Sequence, residues 1–244
     1  MVMSNAFYDE LKQEKDKAEA RNDLKNQILC FRMFGLLIDA HNVPTLDVLR
    51  SLEESFPSYT WLLRDIYDGV NSGQTVAQAM EQKSHEYHPA LIPLLKQGEV
   101  LGNLGLMLKT ATKLMETDLR LRETKIFPPR LRNEALFYQA FAAYVDSGME
   151  VRAAFNSAQQ CSSYLPKDVY SQIENKLLSF QQQEPPKSKT PLADAVGAEM
   201  CQEHFHRSER ELIRVGEEHG TLDMFLNQLA DYKLAAVEMK AEKS

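Results

Sequence analysis

Gly98-Glu99-Val100-Leu101-Gly102-Asn103-Leu104 is one of two stretches that share a single pattern; the other is Gly216-Glu217-Glu218-His219-Gly220-Thr221-Leu222. Both read Gly-Glu-x-x-Gly-x-Leu, they begin 118 residues apart, and a helix-period pattern of apolar residues follows each of them. Seven positions alone are a weak match. The weight of the repeat therefore depends on the sequence around it.

Further matches flank the pattern in the same order in both halves of the chain. A predicted helix end at residues 39–43 aligns with one at 146–149, and residues 74–80 align with 190–196. The offset between the halves rises from about 107 to 116 and then to 118. This places an insertion at residues 181–189, whose Gln, Pro, Lys and Ser are typical of an exposed loop. We therefore predict one helical module that is present twice.

Composition limits the classes of function. Each half of the 244 residues is long enough to bury its own core. The 43% hydrophobic and 26% charged residues are ordinary for a globular protein, and only ten Gly and ten Pro favour helices over a turn-rich sandwich. The net charge of −7 argues against nucleic acid or anionic lipid as the main partner, since both require a basic face.

Cysteine usage and hydropathy predict the compartment. Cys30, Cys161 and Cys201 are odd in number and widely spaced, so we expect free thiols in a reducing cytoplasm. The N-terminus lacks a signal-peptide pattern. The longest apolar runs are shorter than the ~18–20 residues that cross a bilayer. The sequence therefore predicts a soluble, cytoplasmic protein without a transmembrane segment.

Apolar residues at spacings of three and four predict an all-α fold. We expect an N-terminal charged helix in residues 1–22, a first domain in 23–124 and a second in 133–244, each domain an antiparallel bundle of about six helices. Phe7, Tyr8 and Leu11 dock the N-terminal helix on the protein or on a partner, or else this segment remains a solvated arm.

The repeated pattern predicts a corner between two helices. Its second glycine can adopt the left-handed conformation that ends a helix at low cost. The next residue is expected to cap the following helix, and the leucine to enter the core. This structural or partner-contact motif consists of Gly98, Glu99, Gly102, Asn103, Leu104, Gly216, Glu217, Gly220, Thr221 and Leu222.

Glu99 and Glu217 lie one turn before this corner and allow several interpretations. Their carboxylates can accept hydrogen bonds from freed backbone N–H groups, or pair with a base on a neighbouring helix. Alternatively, they contact a partner or bind a cation near a domain interface. We favour the structural interpretation.

The densest metal-like cluster is residues 201–206, which read Cys-Gln-Glu-His-Phe-His. On the helix predicted over about residues 200–218, Cys201 and His204 would share a face, as His85 and His88 would on a helix of their own. A zinc site requires about four ligands, and no second Cys/His pair is nearby in the sequence. We therefore predict no metal.

Enzyme signatures are also missing from the sequence. It contains no phosphate-binding loop, no Gly-x-Gly-x-x-Gly, no Gly-x-Ser-x-Gly and no His-Glu-x-x-His. Cys161, between Gln160 and Ser162, has no recognisable catalytic context. We therefore predict no catalytic residues and no cofactor.

Several motifs, in order, resemble the F domain of type II secretion systems, which also builds the PilC-like platform protein of type IV pilus machines. The resemblance covers residues 24–124 and, less cleanly, 133–242. The residues that carry it are Phe31, Leu37-Ile38-Asp39-Ala40, Val43-Pro44-Thr45-Leu46-Asp47-Val48-Leu49, Gly73, Ala77, Ala79-Met80, His88-Pro89-Ala90-Leu91-Ile92-Pro93, Gly98-Glu99 and Gly102-Asn103-Leu104.

This resemblance implies a non-catalytic scaffold or adaptor that contacts an assembly ATPase or other platform components. Separately, two copies of one module invite self-association through isologous or domain–domain surfaces. Family members usually add three membrane spans. Here no apolar run follows residue 128 or residue 235, so we expect a tandem-domain relative without spans or a product whose spans were removed. Contact with partners would place it at the periphery of the inner membrane. The alternatives are a helical regulatory module unrelated to secretion and, least favoured, a metal-dependent enzyme.

Overall fold

The computed structural model describes residues 23–39, 43–123, 129–182 and 188–241, and every regular element in these ranges is helical. The prediction of an all-α fold is confirmed. The charged helix expected in residues 1–22 lies outside the described residues, as do residues 183–187 of the insertion. The chain divides into two compact units, Met1–Arg120 and Leu121–Ser244, which we describe separately as unit 1 and unit 2.

Among the described residues, unit 1 contains six α-helices, the last of which continues three residues past its boundary. They are α1 (residues 23–39), α2 (Thr45–Ser55), α3 (Thr60–Asn71), α4 (Val76–Glu81), α5 (Leu91–Leu101) and α6 (Leu104–Glu123). Consecutive helices from α2 to α5 pack on one another. The core side chains come from all six helices and include Phe34, Leu49, Leu52, Ile66, Met80, Leu94 and Leu108.

Local signals explain where the helices of unit 1 begin. Pro44 precedes α2, and the Thr75 hydroxyl accepts from the Gln78 N–H at the start of α4, in a capping box. The helix α5 begins at Leu91, after His88, Pro89 and Ala90. There the imidazole Nδ1 of His88 accepts a hydrogen bond from the Ala90 N–H, so the His88 side chain satisfies a backbone donor ahead of the helix.

Unit 2 repeats this helix order. Its helices are α7 (Pro129–Asp146), α8 (Val151–Ser162), α9 (Lys167–Gln181), α10 (Pro191–Val196), α11 (Arg207–His219) and α12 (Leu222–Ala241). α7 is central, because α8 and α12 both pack on it. Phe137 on α7 lies within 6.5 Å, between ring centroids, of five other aromatic rings: Tyr138, Phe141, Phe155, Tyr164 and Phe205.

One predicted helix of unit 2 starts later than expected. We expected a helix from about residue 200 to 218, but Glu199–Cys201 forms a 3₁₀ turn and α11 begins at Arg207. The cause is a capping box at His206, whose N–H donates to Oε2 of Glu209 (3.0 Å). Cys201 and His204 therefore do not share the face of one α-helix, as the metal hypothesis required.

A buried ionic cluster joins three helices of unit 2. The ammonium of Lys233 on α12 contacts Oε1 of Glu134 on α7 (2.5 Å) and Oε1 of Glu209 on α11. The Tyr138 hydroxyl donates to Oε2 of Glu209 (3.1 Å), and the Tyr164 hydroxyl donates to Oε1 of Glu134 (3.3 Å). Both carboxylates thus have a counter-charge and a hydroxyl donor, as buried charges require. None of these five residues was among the site residues predicted from the sequence.

Candidate functional site: the repeated glycine–glutamate corner

Each repeated stretch forms a helix–glycine–helix corner. Gly102 ends α5 with φ 69° and ψ 26°, and Gly220 ends α11 with φ 67° and ψ 29°. In unit 1 the N–H of Asn103 donates to the Gly98 carbonyl (2.9 Å), and in unit 2 the N–H of Thr221 donates to the Gly216 carbonyl (2.8 Å). These bonds satisfy helix-end carbonyls in the manner of a Schellman motif.

The first glycine of each stretch lies inside a helix, where it allows the next helix to approach closely. A Cβ on Gly98 would lie 3.0 Å from the Cα of Leu104, and one on Gly216 would lie 2.9 Å from the Cα of Leu222. Both distances are shorter than ordinary van der Waals contact. Only the second glycine, Gly102 in unit 1 and Gly220 in unit 2, ends the helix.

The two glutamates reach back to the N-terminus of a short neighbouring helix. Oε1 of Glu99 accepts from the Ala77 N–H of α4 (3.1 Å). Oε1 and Oε2 of Glu217 accept from the N–H groups of Leu192 and Ala193 at the start of α10, both at 2.8 Å. Freed backbone donors were among the four kinds of partner considered for these glutamates from the sequence, and the helix N-terminus also favours a negative charge.

The number of hydrogen bonds differs because the two short helices start differently. At α4 the Thr75 hydroxyl already caps one donor, so Glu99 receives a single N–H. At α10 the Thr190 side chain makes no capping bond, and Glu217 receives two N–H groups. Burial raises the pKa of Glu217, an effect that these two N–H donors partly offset.

The remaining motif residues depart in part from the expectation. Asn103 stands before α6, but its buried side-chain Oδ1 has no hydrogen-bond partner among the described residues, so the predicted side-chain cap is wrong there. Thr221 stands at the equivalent position before α12, where its carbonyl accepts from the Phe225 N–H (3.3 Å). Leu222 is buried, whereas Leu104 is only partly buried.

The Cys and His residues considered as metal ligands have other neighbours. The buried thiol of Cys201 lies 3.8 Å from the Ala195 carbonyl, and burial raises its pKa. The His204 ring lies against Tyr164. Buried His88 places Nε2 3.2 Å from Oδ2 of Asp118, and His85 is largely exposed. In the described ranges, no three Cys, His, Asp or Glu side chains are grouped to hold a metal.

Replacement of each glutamate by glutamine is expected to affect the stability of the two corners differently. An amide has one acceptor oxygen, so Glu217→Gln leaves one of the two N–H donors facing an NH₂ group. We expect a loss of about 1–2 kcal/mol in the free energy of unfolding, since an unpaired buried donor costs about 1–3 kcal/mol. Glu99→Gln keeps an acceptor for its single donor and is expected to change stability by less than about 0.5 kcal/mol.

Urea unfolding of the full-length chain, followed by circular dichroism, measures both variants. Equal effects in the two variants would contradict the difference in donor number. If both retained wild-type stability but lost binding to a protein partner, the carboxylates would be partner contacts rather than helix caps.

Comparison with known families places both units in the same group. The family model of type II secretion system protein F matches residues 31–126 and again residues 137–244. Each match contains one glycine–glutamate corner. No curated protein matches the chain. Across the described helices, none is both long and apolar enough for a membrane span.

Proposed function

Because the chain belongs to the type II secretion system protein F family, we propose that it is a non-catalytic scaffold of a secretion or type IV pilus platform. In this role it contacts the assembly ATPase or other platform components through the surfaces of its helical bundles. The observation that carries the proposal is the family match over both units. Its place would be the cytoplasmic face of the inner membrane, where protein partners hold it.

The surface of the first corner supports a role in protein contacts. Val100 is 80% exposed and Leu101 is 51% exposed at the end of α5. Their positions in the second repeat carry the polar residues Glu218 and His219. The corner geometry is the same in both units, so the turn itself does not require apolar side chains there. Adjacent exposed apolar residues are a common feature of protein interfaces.

Binding to purified platform proteins tests the scaffold function. The full chain is immobilised, and the assembly ATPase and the other platform proteins of the same organism are applied separately at micromolar concentration. We expect at least one of them to be retained. Failure to retain any of them would overturn the proposal and favour a helical interaction module with a role outside secretion.

A double variant tests the first corner as a contact surface. Val100→Glu with Leu101→His copies the second repeat, so we expect unchanged stability and at least about tenfold weaker binding, equivalent to roughly 1.4 kcal/mol. The matched control is Met239→Glu, which changes an exposed apolar residue on α12 of unit 2. Equal binding by the double variant and the control would remove the corner from the interface.

A further inference from the structure

We propose that a groove between α1 and α6 of unit 1 docks an acidic amphipathic α-helix of a protein partner, an inference that rests on the scaffold function proposed above. The groove has a volume of about 360 Å³. Its base is the close contact between two glycines: a Cβ on Gly35 would lie 3.1 Å from Cβ of Leu108 and 3.4 Å from the Gly105 carbonyl. Leu36 forms one wall.

An apolar stripe continues from this wall along the outer face of α1. Leu29, Met33 and Leu36 recur at spacings of four and three, and they are 52%, 42% and 62% exposed. Residues at this spacing lie on one face of a helix. A partner helix with apolar residues at i, i+4 and i+7 would match the stripe, as in other helix-in-groove complexes.

The charges beside the groove favour an acidic partner. Lys109 and Lys113 stand one turn apart on α6, and in the described part of the chain neither ammonium is paired with a carboxylate. Arg32, by contrast, is neutralised by Glu116. On a chain of net charge −7, these two lysines form a local positive site that attracts carboxylates.

The opposite end of the groove indicates the orientation of the partner helix. There the carboxylate of Asp39 lies so close to Gly105 that a Cβ on this glycine would overlap it. A negative charge favours the N-terminus of a helix, which carries a partial positive charge. The partner helix would therefore begin near Asp39, run parallel to α6, and present its glutamates or aspartates to Lys109 and Lys113.

The second repeat shows that the fold does not require this groove. Gly35 and Gly105 align with Ala142 and Asp223, while Lys109 and Lys113 align with Asn227 and Asp231. Unit 2 forms the equivalent helices without the glycine contact or the two lysines. Features of unit 1 that the shared architecture does not need are consistent with a binding function.

A synthetic peptide supplies a defined probe. It is a fluorescent amphipathic helix of about 18 residues, roughly five turns, with leucines at i, i+4 and i+7 and glutamates beside them. We expect it to bind the full chain with a Kd on the order of 10 μM and more weakly as salt rises. The control peptide carries lysines in place of the glutamates and is expected not to bind.

Two variants of the chain test the contacts separately. Lys109→Asn with Lys113→Asp copies unit 2 and is expected to weaken binding of the acidic peptide at least about tenfold. Leu36→Glu is expected to abolish it. The control Lys167→Asn with Arg207→Asp removes exposed charge from unit 2 and should leave the affinity unchanged. Thermal unfolding monitored by circular dichroism verifies that each variant is folded.

Three outcomes would overturn the inference. The first is equal binding of the acidic and basic peptides, and the second is an unchanged affinity in the lysine variant. The third is a measured mass showing that the wild-type chain is a dimer and that Leu36→Glu makes it a monomer, which would assign the groove to a second copy. If platform proteins are still retained in these cases, the scaffold function stands and only the groove is wrong. Loss of retention of every platform protein would instead contradict the scaffold function.

Discussion

Lys233→Met is expected to destabilise unit 2 by about 3–5 kcal/mol, because it leaves two buried carboxylates without a counter-charge. Lys233 contacts both Glu134 and Glu209, and all three residues are less than 10% exposed. Thermal unfolding of the full chain should show a transition lowered by more than about 10 °C. A shift of only a few degrees would mean that, in the variant, water molecules hydrate the two carboxylates or protons neutralise them.

Unit 1 supplies a matched uncharged version of the same site. The residues at the aligned positions are Gln27 for Glu134, Phe31 for Tyr138, Leu91 for Glu209 and Met115 for Lys233. All four are buried in unit 1. Replacing a whole buried ionic set by well-packed residues of similar volume is often neutral or stabilising.

The quadruple variant Glu134→Gln, Tyr138→Phe, Glu209→Leu, Lys233→Met therefore serves as the control. It is expected to recover most of the stability that Lys233→Met loses, although it gives up the hydrogen bond from the His206 N–H to Glu209. A quadruple variant as unstable as the single one would show that unit 2 cannot repack in the manner of unit 1.

The pH dependence of the cluster follows from Lys233. Burial disfavours its charge, but the hydrogen bonds that its ammonium donates to Glu134 and Glu209 outweigh this effect and raise its pKa. Because the pKa is higher in the folded protein, the charged ammonium contributes its full stabilisation below pH 10.5, the ordinary pKa of lysine. This stabilisation is lost as the pH rises through the folded pKa. The advantage of the wild type over Lys233→Met should therefore shrink above pH 10.5.

The corners were predictable because their causes are local. A glycine that must be left-handed and a backbone hydrogen bond across five residues can be inferred from a short stretch of sequence. The choice of Ala77 as the partner of Glu99, 22 residues upstream, depends on how α4 packs against α5. The same holds for Glu217 and α10. The sequence therefore suggested the type of partner but not its position.

The ionic cluster and the start of α11 depended on tertiary structure. Glu134 and Lys233 are 99 residues apart, and no spacing rule connects them. The available signal was the repeat itself, since a lysine aligned with the buried Met115 is unusual at a core position. The late start of α11 was missed because histidine is not among the preferred capping residues, yet His206 and Glu209 complete a capping box.

Gly216→Val is expected to cost about 2–3 kcal/mol in unfolding free energy, because it forces α12 away from α11. The new Cβ would lie 2.9 Å from the backbone Cα of Leu222 and 3.2 Å from Cδ2 of Phe225. A backbone atom cannot rotate away as the end of a side chain can, so the two helices must separate. Valine has nearly the same helix propensity as other ordinary residues and gains only a few tenths of a kcal/mol over glycine, which does not offset the overlap.

Gly220→Ala provides the contrast at the same corner. Its Cβ would meet no atom within 4 Å, so the expected cost is only the left-handed backbone of a non-glycine residue, about 1–2 kcal/mol. Chemical denaturation of both variants measures the difference, and binding to the acidic peptide reports separately on the α1–α6 groove of unit 1. Equal destabilisation by the two substitutions would indicate that α12 shifts freely over α11. The close approach that the first glycine permits would then not be what fixes the angle of the corner.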